Sequence, residues 1–156
     1  MRKHRLALMT VVIVVLLLGA GAVVLAGAGA SSGPADDGVL GPAPVTVTIG
    51  IDHSRFEVHP IRVRPHTEVR FVIVNHDPIG HELIVGGPDV HLRHANGHEA
   101  SHPPVAGEVS VPADGRASTT FVFHAPGPVE YACHLPGHYQ FGMHGIVQVV
   151  AADPAR

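Results

Sequence analysis

The stretch Tyr131-Ala132-Cys133-His134-Leu135-Pro136-Gly137-His138-Tyr139-Gln140-Phe141-Gly142-Met143-His144-Gly145 holds most of the chemistry of this chain. Cys133 is the only Cys in the sequence, and Met143 is the only Met outside the N-terminal leader, so the two rarest soft donors fall within one short loop. With 14 His in the chain, a His at one particular offset from Cys133 means little, whereas a Met at a set offset is rare. The pattern Cys-x4-His-x4-Met, placed between a strand ending at Cys133 and another starting near Ile146, therefore points to a metal site that uses Cys133, His138 and Met143. A bland alternative makes Cys133 a small buried hydrophobe, but that leaves the spacing of His138 and Met143 unexplained.

The donor types narrow the metal. A thiolate and a thioether are soft and imidazole is borderline, a set that suits copper in both oxidation states. Structural zinc sites take Cys and His and do not use Met. A fourth ligand has to come from elsewhere, and His81 is the best candidate. It opens a strand just after the turn in Asn75-His76-Asp77-Pro78-Ile79-Gly80-His81, where a neighbour of the Cys133 strand can present its ring. His76, on the other side of Pro78, is its competitor.

Outward from the loop, the pattern is one of short strands. Val45–Ile49 alternates apolar and polar residues, and Glu68–Val74 alternates before turning apolar on both faces. Further strands are expected at Arg55–Val58, Glu82–Val85, Glu108–Val111, Ser118–Phe123, Val129–Ala132 and Ile146–Val150. Pro60, Pro65, Asp77-Pro78, Gly86-Gly87-Pro88, Asp114-Gly115, Pro126-Gly127-Pro128 and Pro136-Gly137 punctuate them. Many short strands with frequent turns predict an all-β domain, a Greek-key β-sandwich. Gly87–Gly107 breaks the rhythm as a long loop, with a short helix expected around Asp89–Asn96.

The N-terminus reads as an address. Arg2, Lys3 and Arg5 precede an uncharged run from Leu6 to Ala30, which is a signal peptide or a single hydrophobic membrane helix. Ala28-Gly29-Ala30 offers a cleavage site, yet the run outlasts an ordinary signal core, so a membrane anchor is preferred. Either way, the basic end stays inside and the rest lies on the extracytoplasmic side, periplasmic or secreted if the leader is cut. The expected organisation is a leader at 1–30, a flexible linker at 31–44 rich in Gly, Pro, Ser and Asp, one domain at 45–151 and a tail at 152–156. Three of the ten Lys and Arg lie in the leader, so the exported part sets seven against 13 Asp and Glu. An acidic surface of that kind repels phosphate backbones, which argues against nucleic acid as a partner.

These residues resemble the cupredoxin family, in particular small bacterial cupredoxin-like domains that follow an N-terminal leader. The likeness runs over about Val45–Val150 and is most specific at Phe71–Val85 and Tyr131–Val149. It implies one type 1 (blue) copper ion held by His81, Cys133, His138 and Met143, and outer-sphere transfer of single electrons to and from a redox partner protein, expected at the membrane. Many blue copper proteins have Asn after the first His, whereas Glu82 stands here and is expected to point to solvent. Leu135, Pro136, Phe141 and Ile79 are expected to shield the site, with His138 as its exposed edge. Tyr139 and Phe141 serve either loop packing or docking.

Two other readings compete with this one. Cys133-His134-x3-His138-x4-Met143 also resembles one half of a multicopper oxidase signature, but no His-x-His pair occurs among the 14 His, so no three-copper cluster, and no enzyme on that pattern, is expected. His134 is then a solvent-facing or supporting residue. A dinuclear copper centre requires a second Cys. A copper-handling role, as chaperone, buffer or sensor, rests on a possible secondary metal site at His91, His94, His98 and His102, where His91 and His94 share a face if the segment is helical.

Overall fold

The computed structural model describes residues 38–97, 101 and 103–151. The expected leader, the first part of the linker, the tail, and His98 and His102 of the His-rich loop lie outside the described residues. Among the described residues no helix is long and apolar enough to cross a membrane.

Two sheets face each other across one core. The first takes β1 (Val45–Asp52), β2 (Arg55–Glu57), β4 (Thr67–Asn75) and β7 (Arg116–Phe123) in the order β2-β1-β4-β7. The second takes β3 (Ile61–Val63), β5 (His81–Gly86), β6 (Glu108–Val111), β8 (Gly127–Ala132) and β9 (His144–Val149) in the order β3-β9-β8-β5-β6. Both sheets are mixed: β1 runs parallel to β4 and β3 parallel to β9, while the remaining pairs are antiparallel.

Strand periodicity explains the layering. Alternate residues of a strand point to opposite faces, so Val69, Phe71 and Ile73 of β4 enter the core while Glu68 and Arg70 meet water. Ile49 and Ile51 of β1 and Phe123 of β7 join them, opposite Val63, Leu83, Val85, Val109, Val147 and Val149 of the second sheet. Phe56 and Tyr131 meet edge to face at 5.5 Å. Each fully buried Phe, Ile or Val contributes roughly 1.5–3 kcal/mol.

The expected strands all occur, with ends shifted by up to three residues. β3 was not foreseen, because Ile61–Val63 is three residues long between Pro60 and Pro65, and Pro suits only a sheet edge. Of the segment read as linker, Val39 is buried and Leu40 pairs with Val63, so chain before Val45 already packs on the second sheet. The helix of the long loop is α1 (Pro88–Ala95), with Pro at its first turn and Asp89 toward its positive end. It lies against β5 and explains why that strand is buried on both faces.

Candidate metal centre

Register delivers the ligands to one end of the sandwich. β5 pairs antiparallel with β8, Ile84 opposite Ala132. Continuing one step puts Cys133 level with Leu83, and His81 two residues further along on the same inward face. The Cys133 amide donates to the Met143 carbonyl at 3.0 Å, which closes the 133–143 loop at its base. Within it, Leu135-Pro136-Gly137-His138 is a β-turn: the His138 amide donates to the Leu135 carbonyl at 3.0 Å, and Gly137 takes the positive φ of 85° that this turn needs. The Met143 amide returns to the His138 carbonyl at 3.0 Å.

Three of the four expected ligands converge. One nitrogen of His81, one of His138 and the Cys133 sulfur all lie within 4.8 Å of one another. His138 Nδ1 stands 3.2 Å from His81 Nδ1 and 3.3 Å from Cys133 Sγ. Met143 is fully buried in the same core cluster as Cys133. His81 and Cys133 are buried, and His138 alone of the four is partly exposed. His76, the competitor of His81, points outward.

Asp77 was not singled out from the sequence, and it decides how His81 is held. Its Oδ2 stands 2.9 Å from His81 Nε2, so that nitrogen carries the proton and Nδ1 turns its lone pair toward Cys133 and His138. Burial alone would raise the Asp77 carboxyl, but the Ser54 and His53 amides and the His81 ring outweigh it, and the group lies below its ordinary value. Asn75 locks the turn: its side chain donates to the Ile79 and Pro112 carbonyls at 2.8 and 2.9 Å and accepts from the Asp77 amide at 3.0 Å. A buried Asn ending a strand two residues before an Asp was the available signal.

Electrostatics favour a soft cation here. Burial pushes the Cys133 thiol up to about 11, opposed by amide hydrogen bonds from Leu135 and Glu82 and reinforced by the Glu82 carboxylate. Those two amides point at the sulfur and leave it a lone pair for a metal. Burial and the neighbouring His81 hold His138 below its usual value, against Asp77, so its ring is neutral and ready to ligate. One cysteine sulfur and two imidazole nitrogens brought together, with Met143 buried in the same core cluster as the sulfur, fit copper.

Two expectations about the surroundings need correction. Glu82 does not point to solvent. It lies on the face of β5 opposite His81, buried beneath α1, where its Oε1 accepts from the His134 amide at 2.7 Å. Of the residues expected to shield the site, Leu135 packs against the core, while Pro136 is exposed and Phe141 and Ile79 are 76% and 48% exposed. His134 faces neither solvent nor the ligands: its Nε2 meets His91 Nδ1 at 2.9 Å, and burial, then His91 and His94, push it down to about 4 against the pull of Glu130. Tyr139 packs within the loop, its ring stacked between His134 and His144 and its hydroxyl donating to Glu130 at 2.8 Å. His94 turns to Glu108, its Nε2 2.8 Å from Oε2.

Comparisons with known proteins bear on this arrangement. Residues 43–150 match the family of copper-binding proteins described as plastocyanin/azurin. The copper-resistant cuproprotein CopI of Rubrivivax gelatinosus is 35% identical over 102 residues, 63% of this chain and 61% of that protein, so the match spans under two thirds of that relative's length. Auracyanin B aligns with a TM-score of 0.56 at 26% identity, covering 68% of this chain and 88% of that one. Auracyanin A, a "blue" copper protein of the green thermophilic photosynthetic bacterium Chloroflexus aurantiacus, gives 0.55 and 25% over 69% and 99%. With the sandwich, the loop and the converging donors all of one kind, the chain belongs to the plastocyanin/azurin family of copper-binding proteins, and copper is its cofactor.

Proposed function

We propose that this protein carries single electrons on the extracytoplasmic side of a membrane, with His81, Cys133, His138 and Met143 as the ligands of one type 1 copper. The observation that carries the proposal is the convergence of the His81 and His138 nitrogens with the buried Cys133 sulfur. Copper supplies a one-electron couple there, and two imidazoles, a thiolate and a weak thioether suit both of its oxidation states. The chain's own part is to hold that set still. Asp77 fixes the His81 tautomer, the Glu82 and Leu135 amides orient the sulfur, and the Pro136-Gly137 turn sets His138. The exposed Phe141, on the loop that carries His138, and the exposed Ile79, two residues before His81, offer an apolar contact for a redox partner protein, placed at the membrane by the leader.

The test is to add Cu(II) to the purified protein and record visible and EPR spectra. An intense thiolate-to-copper band with a compressed hyperfine splitting, absent from Cys133→Ser, supports the ligand set. A pale, nitrogen-only spectrum, or colour that survives the substitution, rejects it. Voltammetry then checks for a reversible one-electron wave.

A second reading, copper handling, is favoured by the name of the CopI relative, a copper-resistant cuproprotein. On that reading the protein protects cells from copper, and loss of the gene lowers copper tolerance even where respiration and photosynthesis are unchanged. An electron carrier shows the reverse.

A further inference from the structure

Apart from the copper centre, the described residues bring a second group of imidazoles and carboxylates together on the other face of the second sheet, beneath α1. His91 is buried on the inner side of α1, and its Nδ1 stands 2.9 Å from His134 Nε2, with the ring centroids 5.1 Å apart. His91 Nε2 lies 3.3 Å from the Glu130 carbonyl, so that nitrogen donates and Nδ1 is left as a lone pair facing His134. An imidazole whose far N–H is fixed by a carbonyl, leaving its near nitrogen bare, is prepared to ligate.

The surroundings extend this donor pair. The His94 ring lies 6.3 Å from the His134 ring, and its Nδ1 is 3.9 Å from Glu82 Oε2. Glu82, Glu108 and Glu130 place three carboxylates around the cluster, and Arg93, which pairs with Glu108, is the cation among its charged contacts. Excess negative charge beside imidazole nitrogens attracts a cation, and imidazole with carboxylate and no thiolate selects borderline divalent ions. Metal–nitrogen bonds of about 2.0–2.1 Å at a tetrahedral angle set two ligand nitrogens about 3.3 Å apart. The pair needs to open by only a few tenths of an ångström.

We propose that His91 and His134, with His94 and Glu82 beside them, form a second metal site that takes one divalent cation of the Cu(II)/Zn(II) class, separate from the copper centre. The site joins a helix residue to one on the ligand loop, 43 positions apart in sequence. It differs from the four-His tract of one loop in taking its second imidazole from the loop that carries Cys133 and His138. Because His134 follows Cys133 directly, a cation there sits one residue from the copper thiolate.

The test uses the full chain carrying one equivalent of Cu(II), titrated with Zn(II) by calorimetry; Zn(II) does not displace Cu(II) from such donors. One further Zn(II) per chain is expected, with a small shift of the thiolate-to-copper band. His91→Phe and His134→Phe should each weaken Zn(II) binding on the order of a hundredfold. Retention of the copper band reports that each variant is folded, and His91→Gln replaces any variant that loses it. No second ion, or one whose binding survives both substitutions, overturns the proposal, as does binding lost only in His98→Ala/His102→Ala. Comparing Cys133→Ser with Cys133→Ser/His91→Phe measures the site without the copper chromophore, so failure of the copper reading and failure of this one remain distinguishable.

Discussion

Replacing Asp77 with Asn removes one negative charge from the group that holds His81, and the structure sets the size of the effect. The carboxylate lies one hydrogen bond of 2.9 Å beyond the imidazole. Across the ring and a metal–nitrogen bond of about 2 Å, it stands roughly 7 Å from an ion bound at Nδ1. At that range a unit charge is worth about 2.4 kcal/mol at an effective dielectric constant near 20, and about 0.6 kcal/mol at that of water. For a one-electron couple this is roughly 25–100 mV. The carboxylate favours Cu(II), so Asp77→Asn raises the reduction potential, toward the upper end because the Asp77 side chain is only 10% exposed. Voltammetry of the copper-loaded proteins at neutral pH and physiological salt measures this, with Glu68→Gln as control. Glu68 is an exposed residue at the far end of β4 from Asn75, beyond the screening length of physiological salt. An unchanged or lowered potential in Asp77→Asn, with the visible band intact, would refute the placement of this charge behind His81.

Two further outcomes follow from the same geometry. The Cys133 thiol, at about 11 when metal-free, keeps its proton at neutral pH, so binding copper releases it. Apparent copper affinity should then rise about tenfold per pH unit from pH 7 to 9, measured by competition with a chelator of known protonation, and a flat profile would mean a thiolate already formed. Gly137→Ala puts a side chain at a φ of 85° and within 3.2 Å of the Phe141 ring edge. Since Phe141 is exposed and can yield, the cost is mainly the left-handed backbone, about 1–2 kcal/mol. A denaturation midpoint equal to wild type would show that the turn does not need glycine.

Much of the fold and three of the four proposed ligands were legible because their signals are local. Period-two alternation in β4, punctuation by Pro and Gly, and the spacing of Cys133, His138 and Met143 within one loop all lie within short windows of chain. His81 was legible by its place at a strand start, although nothing local separates it from His76 beyond the turn between them. β3 was hidden because three residues are too few to show a period, and only its parallel pairing with β9 makes it a strand.

The sequence by itself determined which atoms are available to a metal: one thiol, one thioether outside the N-terminal leader and many imidazoles, with the soft pair in a single loop. Tertiary structure decided which imidazoles count and how each is held. Asp77 behind His81, Glu82 turned beneath α1, the outward Phe141 and Ile79, and the meeting of His91 with His134 each depend on elements distant in sequence being packed together. Strand periodicity states only that a side chain takes one face or the other. What covers that face is set by the neighbours that folding brings, and here a single helix over β5 made the difference.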